Sequence, residues 1–247
     1  MIVVAEIGLN HEGKWDRAYE MIRQAALAGA TIAKFQFGWR HKPGEMNHVS
    51  PELAMRLRQW CDYFGIEFMV SIIADDSLEL ARPLSPQRYK IASRTVIDNP
   101  KLVERVLAEG KETFVSLGWW LKEGRTGWPF GPPTEKLRYI FCQSSYPTYP
   151  SQLSALPATF GPDGFFGFSD HTHGIEACLL AAARGAKFLE KHFTLDKTIV
   201  SVHNDHVLSC DPAELRDLTM HARAISRLVS ALDGGPTAAP PPPLPTA

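Results

Sequence analysis

The sequence predicts an α/β protein, a single-domain closed (β/α)8 TIM barrel. Eight short apolar runs, rich in β-branched and aromatic residues, alternate with connections that mostly have helical periodicity. The chain has 247 residues, close to the ~250 residues that are typical of such barrels. A doubly wound open sheet is the alternative, but no Gly-x-Gly-x-x-Gly loop follows the first apolar run.

The elements follow one another in βα order. The predicted strands are residues 2–7, 31–37, 67–73, 88–92, 113–117, 137–143, 164–168 and 186–189. The predicted helices are residues 15–27, 51–64, 75–81, 99–108, 174–184 and 212–232, with Ser50 as the N-cap of the second. Residues 119–133 are rich in Gly, Pro and Trp and have no helical period. We therefore expect a barrel over residues 1–233, an irregular loop at 119–133 and a disordered Pro/Ala-rich tail at 234–247.

The composition excludes several classes of partner. The formal net charge of −1 gives no reason to expect nucleic acid or an anionic membrane surface. No apolar run approaches the ~18–20 residues of a membrane span, and the N-terminus lacks the basic region of a signal peptide. Four cysteines without C-x-x-C spacing indicate buried thiols in a reducing compartment. A cytoplasmic location is expected.

The stretch from residue 164 to residue 195 holds the densest group of polar side chains. Its two apolar runs, joined by an Ala-rich helix, predict neighbouring parallel strands with a right-handed crossover. His171 and His192 would then lie at the carboxyl ends of adjacent strands and share one divalent ion, Mn²⁺, Zn²⁺ or Fe²⁺. Asp170 and Glu190 are predicted to support these two imidazoles. Residues 203–206, His-Asn-Asp-His, follow on a loop that is expected to fold over the site.

Two lysines interrupt apolar strands instead of lying in loops. Lys34 stands within Ile-Ala-Lys-Phe-Gln, and Lys90 stands within Tyr-Lys-Ile-Ala-Ser. A lysine inside a barrel strand loses its hydration, which is unfavourable unless an anion pairs with it. With serine hydroxyls nearby, the pair favours a site for phosphate and carboxylate groups. The alternative is structural pairing with carboxylates inside the barrel.

Six motifs make the sequence resemble the sialic acid synthase family, whose members condense phosphoenolpyruvate with sugars. They are Ala-Glu-Ile-Gly-Leu-Asn-His-Glu-Gly at 5–13, Lys-Phe-Gln at 34–36, Tyr-Lys-Ile-Ala-Ser at 89–93, Ser-Ser-Tyr-Pro-Thr at 144–148, Phe-Ser-Asp-His-Thr-x-Gly-Ile-Glu-Ala at 168–177 and Glu-Lys-His-Phe-Thr-Leu-Asp at 190–196. Each motif alone is weakly specific. Six in the right order, spread over most of the predicted barrel, are highly specific.

The resemblance implies a transferase that joins phosphoenolpyruvate to a sugar aldehyde and releases phosphate, giving a nonulosonic 2-keto acid. A divalent metal, most often Mn²⁺ in the family, would be held by His171 and His192. The residues implied to hold phosphoenolpyruvate are Lys34, Lys90, Ser93, Ser116, Ser144 and Ser169. The residues implied to lie beside the metal's water or the acceptor sugar are Glu6, Gln36, Tyr146 and Asp205.

Departures from the family pattern bear on the substrate. Where members usually have Ser-Thr-Pro, this chain has Ser71-Ile72-Ile73, so a hydroxyl that helps to hold phosphoenolpyruvate is missing. Arg94 and Thr95 replace the family's Gly-Glu. The change removes a carboxylate near the acceptor and adds a guanidinium, so Arg94 is predicted to bind a negatively charged acceptor.

Two further expectations follow from the resemblance. The barrel is expected without the family's small C-terminal antifreeze-like domain, which supplies an arginine to the partner subunit's sugar site. A homodimer is also expected, because the family's barrels pair.

Three hypotheses about function come from these observations. The first is a metal-dependent synthase that releases phosphate only when phosphoenolpyruvate, metal and acceptor are all present. The second is a repurposed barrel that acts as a lyase or aldolase on another phosphorylated or carboxylated compound. The third is a non-catalytic member that binds a ligand, against which the retained histidines and strand lysines argue.

Overall fold

Eight parallel strands close into a barrel in chain order, each paired with the next and β8 paired with β1. The strands are β1 (Ile2–Glu6), β2 (Ile32–Phe37), β3 (Glu67–Ile72), β4 (Arg88–Ile91), β5 (Glu112–Ser116), β6 (Leu137–Cys142), β7 (Phe165–Asp170) and β8 (Phe188–His192). The structure, a computed structural model, describes residues 1–203, 205–232 and 234. The predicted tail lies, apart from Gly234, outside the described residues.

The connections supply the outer layer of helices. They are α1 (Trp15–Leu27), α2 (Pro51–Phe64), α3 (Asp75–Ala81), α4 (Ser93–Asp98), α5 (Pro100–Ala108), α6 (Gly118–Lys122), α7 (Glu176–Ala183) and α8 (Pro212–Leu232). The Ser50 hydroxyl accepts a hydrogen bond from the Leu53 amide at 3.2 Å, which confirms the predicted N-cap of α2. Among the described helices, none combines the length and the apolar character that crossing a membrane requires.

Two short helices depart from the prediction. The five-residue α6 lies at the start of the segment that was expected to be irregular throughout, and α4 covers residues between β4 and the predicted helix 99–108, where no helix was predicted. Both are too short for an apolar period to be visible in the sequence. The described connection between β6 and β7 has only a 3-10 turn, Pro150–Gln152. The predicted alternation of strands and helices is therefore confirmed for the barrel, with one connection that lacks an α-helix.

The barrel interior is layered along its axis. A completely buried apolar plug fills its middle, made by Val4, Ile32, Met69, Phe114, Ile140 and Phe188. At the amino ends of the strands, the Arg88 guanidinium covers this plug and pairs with Glu67 at 2.8 Å and Glu112 at 3.0 Å. On the other side of the plug the inward side chains become polar. The plug therefore forms a dry floor beneath a polar cavity at the carboxyl ends of the strands.

Close packing of β7 against β8 depends on Gly167. A Cβ at this position would lie 2.6 Å from the Phe188 Cβ and 2.8 Å from the Phe188 carbonyl carbon, closer than real Cβ contacts allow. We therefore expect Gly167→Ala to displace the β8 backbone and to lower the free energy of unfolding by about 1–3 kcal/mol or more. Urea denaturation measures this change. Gly164→Ala is the matched control, since no atom lies within 4 Å of its new methyl group. Equal stability of the two variants would contradict the close approach.

Candidate active site

A cavity of about 460 Å³ opens at the carboxyl ends of the strands. Twelve of the thirteen residues predicted for the site line it: Glu6, Lys34, Gln36, Lys90, Ser93, Arg94, Ser116, Tyr146, Ser169, His171, His192 and Asp205. The thirteenth, Ser144, is buried beside the cavity with its hydroxyl 3.2 Å from that of Ser93. The fold thus brings together side chains that are as much as 199 positions apart in the sequence.

Lys34 lies at the bottom of the cavity in a buried network of charges. Its Nζ atom is 2.7 Å from Glu6 Oε2 and 3.6 Å from Glu190 Oε2, and it donates to the Ser71 hydroxyl at 2.9 Å. Burial opposes the charged ammonium, but Glu190 and Glu6 outweigh it and raise the pKa of Lys34. Lys34 is therefore a cation that two carboxylates stabilise.

Lys90 is farther from a carboxylate than Lys34 is. Its ammonium donates to the Ser116 hydroxyl at 2.7 Å and to the Ile91 carbonyl at 3.1 Å, while Glu190 Oε1 is 3.9 Å away. Burial lowers the pKa of Lys90 more than Glu190 raises it. An ammonium has three N–H donors, so Lys90 keeps one that an incoming anion can accept.

Glu190 is the residue that sequence reasoning misplaced. It was predicted to support the histidine pair, but its carboxylate lies between the two lysines and accepts a hydrogen bond from the Ser169 hydroxyl at 2.8 Å. Burial favours the neutral acid, yet Lys34 and Lys90 lower the pKa of Glu190 to about 2. The strand lysines therefore pair with carboxylates inside the barrel, which is the alternative interpretation from the sequence. They also face a cavity that has room for an anionic ligand.

As predicted, His171 and His192 lie at the carboxyl ends of adjacent strands: His171 directly follows β7 and His192 is the last residue of β8, with ring centroids 5.5 Å apart. The His171 Nδ1 atom lies 3.0 Å from the Gln143 carbonyl, which fixes this nitrogen as the donor and leaves Nε2 with a free lone pair. Burial lowers the pKa of His171 to about 4, so the ring is neutral near pH 7. His192 Nδ1 is buried with no hydrogen-bond partner in the described part of the chain, and Asp205 Oδ2 is 3.9 Å away.

The predicted support of the histidines by Asp170 is wrong. Asp170 is completely buried on the outer side of β7, where its carboxylate pairs with Lys191 at 2.9 Å and accepts from the Thr172 amide. Successive side chains of a strand point to opposite faces, so a residue next to His171 faces the helices and not the cavity. The Gln143 carbonyl holds the His171 imidazole, and the Asp205 carboxylate lies 3.9 Å from His192 Nδ1, beyond hydrogen-bond distance.

Glu6 and Gln36 form a second polar pair on neighbouring strands. The Gln36 side-chain amide donates to Glu6 Oε1 at 2.5 Å, and Glu6 Oε2 faces Lys34. Across the cavity, the half-exposed Tyr146 ring packs 4.3 Å from the His171 ring. Burial raises the pKa of Asp205, but His192 and His203 outweigh it and keep that pKa below its usual range. These four predicted catalytic residues surround the histidine pair.

Arg94 lies at the rim, in the first turn of α4. Its guanidinium donates to Asp98 at 2.8 Å and stacks 4.7 Å above the Trp119 ring. Asp98 and Trp119 also line the cavity. The positive charge predicted for the acceptor side is therefore present, but a carboxylate on the next turn of the same helix balances it.

Ile72 does not occupy the position that the sequence comparison suggested, next to the ligand space. Ile72 is fully buried in the layer between sheet and helices, whereas Ser71 and Ile73 on either side of it line the cavity. A side chain at position 72 does not face the ligand space. The expected loss of a ligand contact there is therefore wrong, and the apolar cavity side chain is that of Ile73.

Some lining residues were not predicted, among them Trp39 and Arg40 on the loop after β2. Both lie outside regular strands, so no period in the sequence marks them. His203 lines the cavity from the segment after β8, which was expected to fold over the site. Ser71, a polar residue at a strand end, occupies the position of β3 that pairs with Lys90 of β4 and faces inward.

A closed (β/α)8 barrel with a polar cavity at the carboxyl ends of its strands has the architecture of a barrel enzyme. Here the cavity combines two buried ammonium groups with a pair of imidazoles. Ammonium groups suit anionic ligands, and imidazoles suit a divalent ion.

The chain belongs to the NeuB family, whose model matches residues 45–233. It is 30% identical over 265 residues to N-acetylneuraminate-9-phosphate synthase of Homo sapiens, covering 95% of this chain and 72% of that protein. It is 29% identical to the spore coat polysaccharide biosynthesis protein SpsE of Bacillus subtilis, covering 88% of this chain and 65% of that protein. The chain therefore spans roughly two thirds of the length of these relatives.

A solved structure agrees with these sequence relatives. The N-acetylneuraminic acid synthetase of Leptospira borgpetersenii, in complex with citrate, superposes with a TM-score of 0.72 at 25% identity. The superposition covers 97% of this chain and 87% of that one. The resemblance to the sialic acid synthase family and the predicted barrel are both confirmed.

Proposed function

We propose that this protein condenses phosphoenolpyruvate with a sugar aldehyde to give a nonulosonic 2-keto acid and inorganic phosphate. The proposal is based on two layers of side chains in one cavity. Buried lysines with serine hydroxyls lie at its bottom, and an imidazole pair lies above them. Membership of the NeuB family supports the same reaction.

The lower part of the cavity is suited to phosphoenolpyruvate. Lys90 has a free N–H donor, and the hydroxyls of Ser93, Ser116 and Ser144 lie on the same side of the cavity. The charges of Lys34, Lys90, Glu6 and Glu190 cancel, so this layer alone does not neutralise a trianionic substrate. A further positive charge next to the substrate is required, and His171 and His192 are placed to hold it as a divalent ion.

The two histidines fit a divalent ion. His171 presents a lone pair because its other nitrogen is committed to a carbonyl, and His192 has a buried nitrogen that lacks a partner among the described residues. Imidazoles suit Mn²⁺, Zn²⁺ or Fe²⁺, and we propose Mn²⁺ because the family resemblance implies it. When bound, the ion supplies Lewis acidity to the acceptor aldehyde.

In the proposed reaction, C3 of phosphoenolpyruvate forms a bond to the aldehyde carbon. The electron pair of the C=O double bond moves to the aldehyde oxygen, which takes a proton and becomes a hydroxyl. Water adds to the cation that remains at C2 and loses one proton. The resulting C2 hydroxyl loses its proton as the C2–O bond to phosphate breaks, which gives the 2-keto group and inorganic phosphate. Lys34 and Lys90 hold the phosphate and carboxylate throughout, and the apolar plug excludes bulk water from below. Glu6, Gln36, Tyr146 and Asp205 orient the acceptor and the reacting water, and Asp205, ionised next to two imidazoles, is placed to take the proton of that water.

Phosphate release tests the proposal directly. The protein is incubated with phosphoenolpyruvate, Mn²⁺ and a panel of aldoses that includes N-acetylmannosamine and phosphorylated sugars. We expect release with one acceptor, and we expect a chelator or His192→Ala to abolish it. Turnover of another compound without phosphoenolpyruvate would instead support the lyase or aldolase alternative. Absence of phosphoenolpyruvate binding would contradict the proposed substrate.

We also propose a cytoplasmic location and a homodimer. Cys61, Cys142, Cys178 and Cys210 are all buried free thiols, which suits a reducing compartment. The dimer rests on the family resemblance, and a light-scattering mass tests it. A monomeric mass would contradict it.

The acceptor preference is expected to depend on Arg94 and Asp98 in opposite directions. Arg94→Gly removes the rim guanidinium and should lower kcat/KM for anionic acceptors by about 1.4–5-fold relative to neutral ones, the range of a partly exposed charge contact. Asp98→Asn frees that guanidinium from its carboxylate partner and should shift the same ratio the other way. Arg56→Gly, an exposed position on α2, is the control. An unchanged preference in both rim variants would show that Arg94 does not contact the acceptor.

A further inference from the structure

A second group of potential metal ligands lies outside the histidine pair. Glu12 is on the loop between β1 and α1, and His203 and His206 are on the segment between β8 and α8. Because β1 and β8 are neighbouring strands, the barrel brings these two connections together. One ligand atom from each of the three residues lies within 4.8 Å of the others.

The two imidazoles converge on one carboxylate oxygen. His203 Nε2 lies 2.7 Å from Glu12 Oε1, and His206 Nε2 lies 2.9 Å from the same oxygen. The side chains are removed from solvent, with 1% of His206, 5% of His203 and 19% of Glu12 exposed. The three side chains therefore form a mostly buried cluster.

The outer nitrogen of His206 is held by the Thr194 hydroxyl at 2.7 Å. That hydroxyl also lies 3.1 Å from the Asp196 carbonyl and accepts from the Asp196 amide at 3.2 Å. When the hydroxyl proton is on the Asp196 carbonyl, His206 Nδ1 is the donor, and the neutral ring then presents its Nε2 lone pair to Glu12.

The outer nitrogen of His203 faces Asp205. His203 Nδ1 lies 3.3 Å from Asp205 Oδ2, and the Asp205 amide donates to the same nitrogen at 3.4 Å. Imidazoles that bind metals almost always have a carboxylate, a carbonyl or a water at the outer nitrogen, and Asp205 takes this place for His203.

Two imidazole nitrogens and one carboxylate oxygen thus face one another in a mostly buried space, and a divalent ion can take the place of the protons that they share. We propose that Glu12, His203 and His206 form a second divalent metal site, with Zn²⁺ as the matching ion. Two imidazoles and one carboxylate are a known tetrahedral donor set, in which water fills the fourth position. With ligand distances of about 2.0–2.1 Å, such an ion holds its ligand atoms about 3.3 Å apart, so the cluster opens by roughly half an ångström to accept it.

An ion bound at this site would link two connections at the mouth of the cavity. It ties the loop after β1 to the segment after β8, and His203 lines the cavity. Asp205 Oδ2 lies 3.3 Å from His203 Nδ1 and 3.9 Å from His192 Nδ1, so one carboxylate stands between this site and the histidine pair. The ion therefore positions Asp205 without contacting substrate.

The test separates the two sites by removing the histidine pair first. The full chain carrying His171→Ala and His192→Ala is titrated with Co²⁺, a spectroscopic stand-in for Zn²⁺, and with Zn²⁺ itself. We expect one equivalent of Co²⁺ with the visible absorption of a tetrahedral ion. We also expect Zn²⁺ to raise the Tm of this variant.

Adding Glu12→Gln to that background should abolish both signals, and His203→Gln is a second variant in case the first does not fold. Glu45→Gln, an exposed glutamate, is the matched control. If the cluster only shares protons, the His171→Ala and His192→Ala protein takes up no Co²⁺ and its Tm does not respond to Zn²⁺. Either that result or unchanged uptake in both cluster variants would overturn the proposal. No readout involves phosphoenolpyruvate, so the outcome does not depend on the proposed reaction.

Discussion

Glu190→Gln is expected to lower the free energy of unfolding by about 3–5 kcal/mol, because it breaks a buried ionic network by removing one partner. The carboxylate lies 3.6 Å from the Lys34 ammonium and 3.9 Å from that of Lys90, and all three groups are buried. Lys34 keeps Glu6 in the variant, but Lys90 keeps only a hydroxyl and a carbonyl. Lys90 then becomes an uncompensated buried charge.

Urea denaturation without added phosphate measures this effect. Glu104→Gln is the control, since this exposed glutamate of α5 makes no ion pair among the described residues. Inorganic phosphate should restore more stability to Glu190→Gln than to the unmodified protein, because it replaces the missing anion next to Lys90. A variant as stable as the control would show that Glu190 is not the counter-ion of the two lysines.

The pH dependence of the difference follows from the lowered pKa of Glu190. A carboxyl that titrates near 2 in the folded protein, against about 4.5 in the unfolded chain, stabilises the fold fully at pH values above the unfolded value. That contribution is lost as the pH falls from about 5 towards 2. The gap in stability between the unmodified protein and Glu190→Gln should therefore be constant near neutrality and shrink over this acid range.

The barrel was predictable because each strand and most helices carry their own local pattern. The ranges predicted for α1, α2, α3 and α8 match the structure at both ends, because a clear apolar period runs through each of these elements. The site residues were predictable for a different reason. In a parallel barrel all carboxyl ends meet at one face, so polar residues at strand ends converge wherever they lie in the sequence.

The partners of those residues were harder to predict. Sequence adjacency suggested that Asp170 supports His171, but the alternation of a strand sends them to opposite faces. The same alternation puts Glu190 and His192 on one face of β8. Applying the two-residue period of a strand to the sequence would therefore have placed Glu190 inside the cavity. Glu12 and His203, in contrast, are 191 positions apart on loops without a period. Only the closure of β8 onto β1 brings them together.

His171→Ala is expected to weaken Mn²⁺ binding at the histidine pair by more than about 100-fold and to abolish phosphate release. Loss of a mere supporting partner of a metal ligand already costs about 10–100-fold in affinity, and here a ligand itself is removed. The Gln143 carbonyl holds the His171 ring with its Nε2 lone pair free, and an alanine at this position offers no ligand atom in its place. Titration of Mn²⁺ in a Glu12→Gln background keeps the proposed second site out of the measurement.

His173→Ala is the matched control for this prediction. His173 lies two positions further along the chain, is exposed, and has its Nδ1 atom 3.0 Å from the Val207 carbonyl outside the cavity. It therefore shares the residue type and the neighbourhood of His171 but not its position in the barrel mouth. Mn²⁺ affinity and phosphate release should survive in His173→Ala and be lost in His171→Ala. Equal affinities in the two variants would mean that the ion is held elsewhere, and the imidazole pair would then serve the substrate directly.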